Sequence, residues 1–140
     1  MLQSVDVNLL AVLVSAVVSM IVGMSWYSQT LFGKEWMKLM NISKKDIEKA
    51  KNKSMKKEIT AAFVSNLVLA YVLSLFLKYT GASTASEGLI VGFLVWLGFQ
   101  ATLALGSVLW EGRPVKLYLI NVAHYLVNLL VLSLILVSWA

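Results

Sequence analysis

An all-α fold of four membrane-spanning helices is what this sequence predicts, and three observations predict it. Apolar residues make up 59% of the 140-residue chain and charged residues only 14%, whereas soluble domains carry roughly 45–50% and roughly 25%. Four apolar segments each reach the roughly 20 residues that a helix needs to cross about 30 Å of hydrocarbon. None of the four holds an Asp, Glu, Lys or Arg in its interior.

The first span is read at about 7–27. Residues 1–8 carry no Lys or Arg, and Asp6 stands where a secretory leader would have its positive region. The segment is therefore expected to be a retained helix rather than a cleaved one. The second span runs from about 59 to 79, the third from 88 to 110 and the fourth from 117 to 139. Aromatics mark the span ends at Trp26, Tyr27, Tyr79, Trp110, Tyr118 and Trp139, as expected of rings that keep one edge wet and one edge apolar.

Residues 28–58 form a long Lys-rich connector with two parts. In 31–40, Phe32, Trp36, Leu39 and Met40 share one helical face while Lys34, Glu35 and Lys38 fall elsewhere. That pattern predicts a short helix lying in the membrane interface. Ser43 followed three residues later by Asp46 reads as an N-cap, opening a second, Lys-rich helix toward Lys57. Anionic lipid head groups are the expected partner of this stretch. Trp26, Tyr27, Phe32, Trp36, Trp110, Glu111 and Arg113 are together assigned to the membrane interface. The basic excess is not read as a nucleic-acid signal.

Orientation follows from the short-loop lysines and arginines. Nine of the twelve Lys and Arg residues lie between Lys34 and Lys57, and Arg113 and Lys116 lie in the third loop. The loop from Thr80 to Glu87 has none. Both basic loops are placed in the cytoplasm and both termini outside it, in the cell (plasma or inner) membrane.

Two stretches are distinctive. One is Gly23-Met24-Ser25-Trp26-Tyr27-Ser28 with Leu31-Phe32-Gly33-Lys34-Glu35-Trp36-Met37. The other is Trp110-Glu111-Gly112-Arg113-Pro114 leading into Leu119-Ile120-Asn121-Val122-Ala123-His124-Tyr125. In order and spacing, over nearly the whole chain, they resemble the small multi-pass membrane proteins of the domain of unknown function 1761 family. The resemblance implies the same kind of topology and supplies no catalytic residue.

Lipid tails are as apolar as leucine, so small residues that let backbones approach must organise helix contacts. Ala11, Ser15, Ser19 and Gly23 form a stripe at spacing four on the first span. Ala62, Asn66, Ala70 and Ser74 do so on the second. The third carries Gly88 and Gly92, then Gly98, Thr102 and Gly106. These are expected to be packing faces, within one chain or between chains, and a homo-oligomer is expected because four short helices enclose little volume.

Asn66, Gln100, Asn121, His124 and Asn128 are strongly polar residues within the spans. Asn66 and His124 lie roughly 10 Å from the cytoplasmic ends, Gln100 and Asn128 roughly 15 Å. Facing lipid they would be unsatisfied, so Asn66, Gln100, His124 and Asn128 should converge. They make either a polar pocket open to the cytoplasm or a set of interhelical hydrogen bonds.

Much chemistry is disfavoured. Without cysteine there is no disulfide or thiolate chemistry, and one histidine makes a single-chain zinc site improbable. No intramembrane carboxylate is available for a proton relay or a Ser–His–acid triad. No phosphate-binding glycine loop exists, and no cofactor or metal is expected. What stays open is a binding or transport protein, a non-catalytic scaffold acting through its Lys-rich loop, or, last, a membrane enzyme using His124. The topology has a direct test, since the chain has no native cysteine. A cysteine at Ser54 should stay unreactive to an impermeant thiol reagent in intact cells. Labelling there would reverse the orientation.

Overall fold

The computed structural model describes residues 4–139, and these are helical throughout their ordered elements, with no strand among them. Six helices follow in order: α1 Leu9–Trp26, α2 Gly33–Leu39, α3 Lys44–Asn52, α4 Lys56–Tyr79, α5 Ala85–Leu109 and α6 Val115–Ser138. Of these, α1, α4, α5 and α6 are long and apolar enough to cross a membrane. Relative to the expected spans, α4 begins three residues before Ile59 and α5 three before Gly88, because charged first turns extend both helices beyond their apolar stretch.

Local chemistry sets the helix starts. The Asn8 side chain accepts from the Ala11 amide and caps α1. Reciprocal capping boxes open α3, between Ser43 and Asp46, and α5, between Thr84 and Glu87, each satisfying amides that have no partner in the first turn. Pro114 precedes α6, where its fixed φ and missing donor cost nothing. Between α1 and α2 the chain folds back so tightly that a Cβ on Gly33 would collide with the carbonyls of Tyr27 and Ser28. Only glycine fits that reversal.

Helix α6 is the hub. It packs against α5, α1 and α4, and α1 packs against α4. The continuous core is Ala11 and Val12 of α1, Ala70, Leu73 and Leu77 of α4, and Leu129, Leu132 and Leu136 of α6. These come from the start of α1 and the ends of α4 and α6, so the core sits at one end of the molecule. Both chain ends meet there, with Asn8 donating to the Trp139 carbonyl at 3.3 Å. The opposite end, near the long connector, is less closed. Of the buried residues of α4, all lie from Ala70 onward.

Glycines set the α5–α6 distance. A Cβ on Gly92 would fall 2.5 Å from Ser133 Oγ and 3.2 Å from the Leu129 carbonyl oxygen, and one on Gly88 would fall 2.9 Å from Val137 Cγ1. Beyond this seam α5 does not continue as a regular helix. Residues Leu97–Ala101 form a π turn, which takes one residue more than an α turn. The inward positions therefore run Gly88, Gly92, Trp96 and then Ala101, four, four and five apart. Trp96 donates its indole N–H to the Val122 carbonyl at 2.8 Å, and Ala101, buried, accepts from the Tyr118 hydroxyl at 2.7 Å.

That extra residue divides the third small-residue face, so that only Gly88 and Gly92 meet another helix of the same chain. Gly98 and Thr102 are exposed, and among the described residues nothing comes within 4 Å of a Cβ placed on Gly98, while one on Gly106 meets only Trp110 of its own helix. A spacing-four stripe drawn from Gly98 lies on a different side of α5 from Gly88 and Gly92. On α1, by contrast, Ala11, Ser15 and Ser19 are buried.

The short helix α2 lies against α6, tied by a 2.7 Å ion pair between Glu35 and Lys116. The hydrogen bond and charge of Lys116 hold the Glu35 carboxyl below the usual carboxylate range. The contact is thus complete at neutral pH and is lost as pH falls through that lowered pKa.

The seam makes a paired prediction. Gly92→Ala should destabilise the chain by about 1–3 kcal/mol through overpacking against backbone, whereas Gly98→Ala should change stability by less than about 0.5 kcal/mol. Thermal unfolding of both variants in the same detergent measures the contrast, and equal melting temperatures would refute the close approach.

Candidate functional site: a polar cavity at the open end

Four helices wall a cavity of about 450 Å³, within the range of small-molecule sites. Helix α1 contributes Ser19, Met20, Gly23 and Met24. Helix α4 contributes Ala62, Ser65, Asn66 and Leu69. The π turn of α5 contributes Gln100, and α6 contributes His124, Tyr125 and Asn128. Met24, Ala62 and Ser65 are exposed, so the cavity opens to the outside of the molecule along that side.

Asn66, Gln100, His124 and Asn128 thus border one space, and they differ in how they are satisfied. Asn66 is occupied. Its Oδ1 accepts from the Ser19 hydroxyl at 3.0 Å and its amide donates to Met20 Sδ at 3.1 Å, joining α1 to α4. Gln100 Oε1, both ring nitrogens of His124 and Asn128 Oδ1 are buried without a hydrogen-bond partner among the described residues. An unpaired buried polar atom costs about 1–3 kcal/mol, and here four such atoms belong to three side chains on the same cavity. Ser15 and Ser133 also carry unpaired buried hydroxyls, but they sit in the core between helices.

The sequence explains how each group arrives there. Met20, Gly23 and Met24 lie on one side of α1 at helical spacing. Gly23 faces the His124 ring, and a Cβ there would stand 3.6 Å from Nε2, in ordinary van der Waals contact. Around the ring stand Tyr27, edge-on at 5.2 Å between centroids, Trp26 at 6.2 Å and Tyr125 at 5.6 Å. Gln100 reaches the cavity because the π turn gives the α6-facing position after Trp96 to Ala101 instead.

Asn121 does not line the cavity. Its Oδ1 accepts from the Tyr27 hydroxyl at 2.7 Å, one helical turn away. The aromatics assigned to a membrane interface divide likewise. Trp26 donates to the Ile120 carbonyl at 3.0 Å and Phe32 packs on Trp26 at 4.6 Å, while Trp36 meets Tyr27 edge-on. The polar edges of Trp26 and Tyr27 are spent on fixing α1 to α6, so tertiary packing rather than water satisfies them. Trp110, Glu111 and Arg113 are exposed in the turn before α6 and do not border the cavity.

Met20, Ser65 and Tyr125 were not singled out from sequence. Ser65 and Tyr125 adjoin Asn66 and His124, and a wide cavity exposes two neighbouring faces of a helix where a packed seam exposes one. Among the described residues, no three His, Cys, Asp or Glu side chains are grouped to hold a metal. Among the described residues no Asp, Glu, Lys or Arg borders the cavity, so it offers hydrogen bonds and van der Waals surface rather than charge.

A small all-helical protein with four apolar helices of spanning length, packed around a polar cavity, is the class these features define. The chain belongs to the family described as protein of unknown function (DUF1761), whose match covers residues 10–137. No curated protein matches the sequence, and no solved structure matches the fold.

The Ser19–Asn66 link can be measured. A double-mutant cycle with Ser19→Ala and Asn66→Ala should give a coupling near the about 0.6 kcal/mol typical of hydrogen bonds between helices in membrane proteins. A coupling of zero would remove the bond from the account of α1–α4 packing.

Proposed function

We propose that this is a multi-pass protein of the cell membrane whose cavity binds, and lets pass, a small uncharged hydrogen-bonding solute. The observation that carries the reading is the set of unpartnered buried atoms of Gln100, His124 and Asn128 on one open cavity. A purely structural polar cluster pairs its groups with one another, as Ser19 and Asn66 do. Here three side chains are left for an occupant. The four apolar helices support insertion, with both basic loops in the cytoplasm. Exposed Gly98 and Thr102 on α5 support self-association through that face. His124 binds in this reading and breaks no covalent bond, since no carboxylate borders it.

Cysteine accessibility tests the cavity in the bilayer. In reconstituted vesicles Ser65→Cys, on the cavity wall, should react with a small hydrophilic methanethiosulfonate. Val68→Cys, exposed on α4 but outside the cavity, should not. Equal reactivity would mean that the four helices do not shield Val68 with lipid. No reaction at Ser65 would mean that the cavity is dry. Passage is read by vesicle swelling with urea, glycerol and acetamide as probes. At least one should enter faster than in protein-free vesicles, and His124→Leu should abolish that gain without lowering the melting temperature. Loss of stability with no change in permeation would assign His124 a structural role.

A further inference from the structure

Two of the four acids in the connector are engaged, Asp46 and Glu35. Asp46 is engaged by the amide and hydroxyl of Ser43, at 2.9 Å each, which holds its carboxyl below the usual range. Glu35 is engaged by Lys116. The lysines from Lys44 to Lys57 make no ion pair among the described residues. From Lys44 to Lys57 seven lysines stand against Asp46 and Glu48, so the segment presents net positive charge outward.

That charge borders an apolar groove. Between α2 and α3 lies a second cavity of about 570 Å³, walled by Trp36, Met37, Ile42, Ile47, Ala50 and Met55, with Lys51 and Lys53 at its edge beside the carboxylate of Asp46, so that the cations outnumber the anion there. Ile47 and Ala50 lie on one face of α3, and no residue of α3 is buried. The apolar face of α3 therefore looks across the groove at α2 without closing on it. Met55 leads directly into α4, where Ile59 is 56% exposed, so the groove stands where the apolar helix ends and the charged connector begins. An occupant must supply an apolar chain and an anionic head at that level.

We infer that the α2–α3 groove is a binding site for an anionic phospholipid, its acyl chain against Trp36, Ile47 and Met55 and its phosphate on Lys51 and Lys53. The inference rests on the four long helices crossing a bilayer, and it is independent of what the polar cavity binds. Free phosphate satisfies only the lysines, and a zwitterionic lipid brings its own cation. An anionic lipid satisfies both walls at once.

The test uses the full chain in phosphatidylcholine nanodiscs, with Asn52→Cys carrying an environment-sensitive fluorophore beside the groove. Dihexanoyl-phosphatidylglycerol should shift the emission saturably, at lower concentration than dihexanoyl-phosphatidylcholine. Lys51→Gln with Lys53→Gln should raise the midpoint by about fivefold for each lysine removed. Both lysines are exposed, so an unchanged melting temperature is expected. Equal midpoints for the two lipids, or no change in the double variant, would overturn the site. An equal shift with glycerol 3-phosphate alone would overturn the role of the groove by reducing the effect to surface charge. Ser65→Cys labelling is unaffected by any of these outcomes, so loss of this site and loss of the spanning reading are separable.

Discussion

The backbone contact between α5 and α6 is the constraint on which the remaining geometry depends. Gly88 and Gly92 leave no room for a Cβ against Ser133, Val137 and the Leu129 carbonyl. Where lipid competes equally for apolar side chains, such close approach is what favours one helix over its surroundings. With α5 pinned at that level, Trp96 lands over the Val122 carbonyl and bonds to it. The π turn then brings Ala101 under Tyr118. Three contacts spaced along one helix fix its rotation as well as its distance, and the rotation decides that Gln100 borders the cavity.

Helix α6 is held on its other side by a different device. Trp26 and Tyr27 close α1 with an indole and a phenol that reach the Ile120 carbonyl and Asn121. These large rings also wall off His124, which packs against Gly23. The molecule is thus tight at the end where Ala11, Leu73 and Leu132 interlock, and propped apart by aromatics at the other. A cavity at the propped end is the geometric result, since helices in close contact at one end and separated by rings at the other must diverge. Its lining carries unpaired buried polar atoms, each of them costly in a dry gap.

The connector adds a second layer to the same logic. Its turn at Gly33 and the Glu35–Lys116 pair lay α2 against α6, and the Ser43–Asp46 box starts α3 at a defined point. The Glu35–Lys116 pair is neutral as a unit and Asp46 keeps its charge, so the positive field of the connector is that of its excess lysines. Polar cavity and basic groove lie toward the same end of the long helices and differ in kind, one uncharged and recessed, the other amphipathic and superficial.

From its residues alone the chain settles the four apolar helices, the cap at Ser43 and the family, because hydrophobic length, capping chemistry and the motif around Trp26 are local. The small stripe Ala11–Ser15–Ser19 is legible for the same reason, as a regular α-helix keeps spacing-four residues on one side. The approach of Asn66, Gln100, His124 and Asn128 to one space follows roughly from counting depths. What depth cannot give is rotation. The π turn at Leu97–Ala101 forms where Trp96 and Ala101 each find a partner on α6, and an extra residue in one turn leaves no periodic trace in a segment that is apolar on nearly every side. That turn sends Gly98 and Thr102 outward and Gln100 to the cavity. Likewise, Asn121 pairs with Tyr27 while Gln100 and Asn128 stay unpaired. These outcomes depend on which neighbour happens to lie within 3 Å, and only the packed helices decide it.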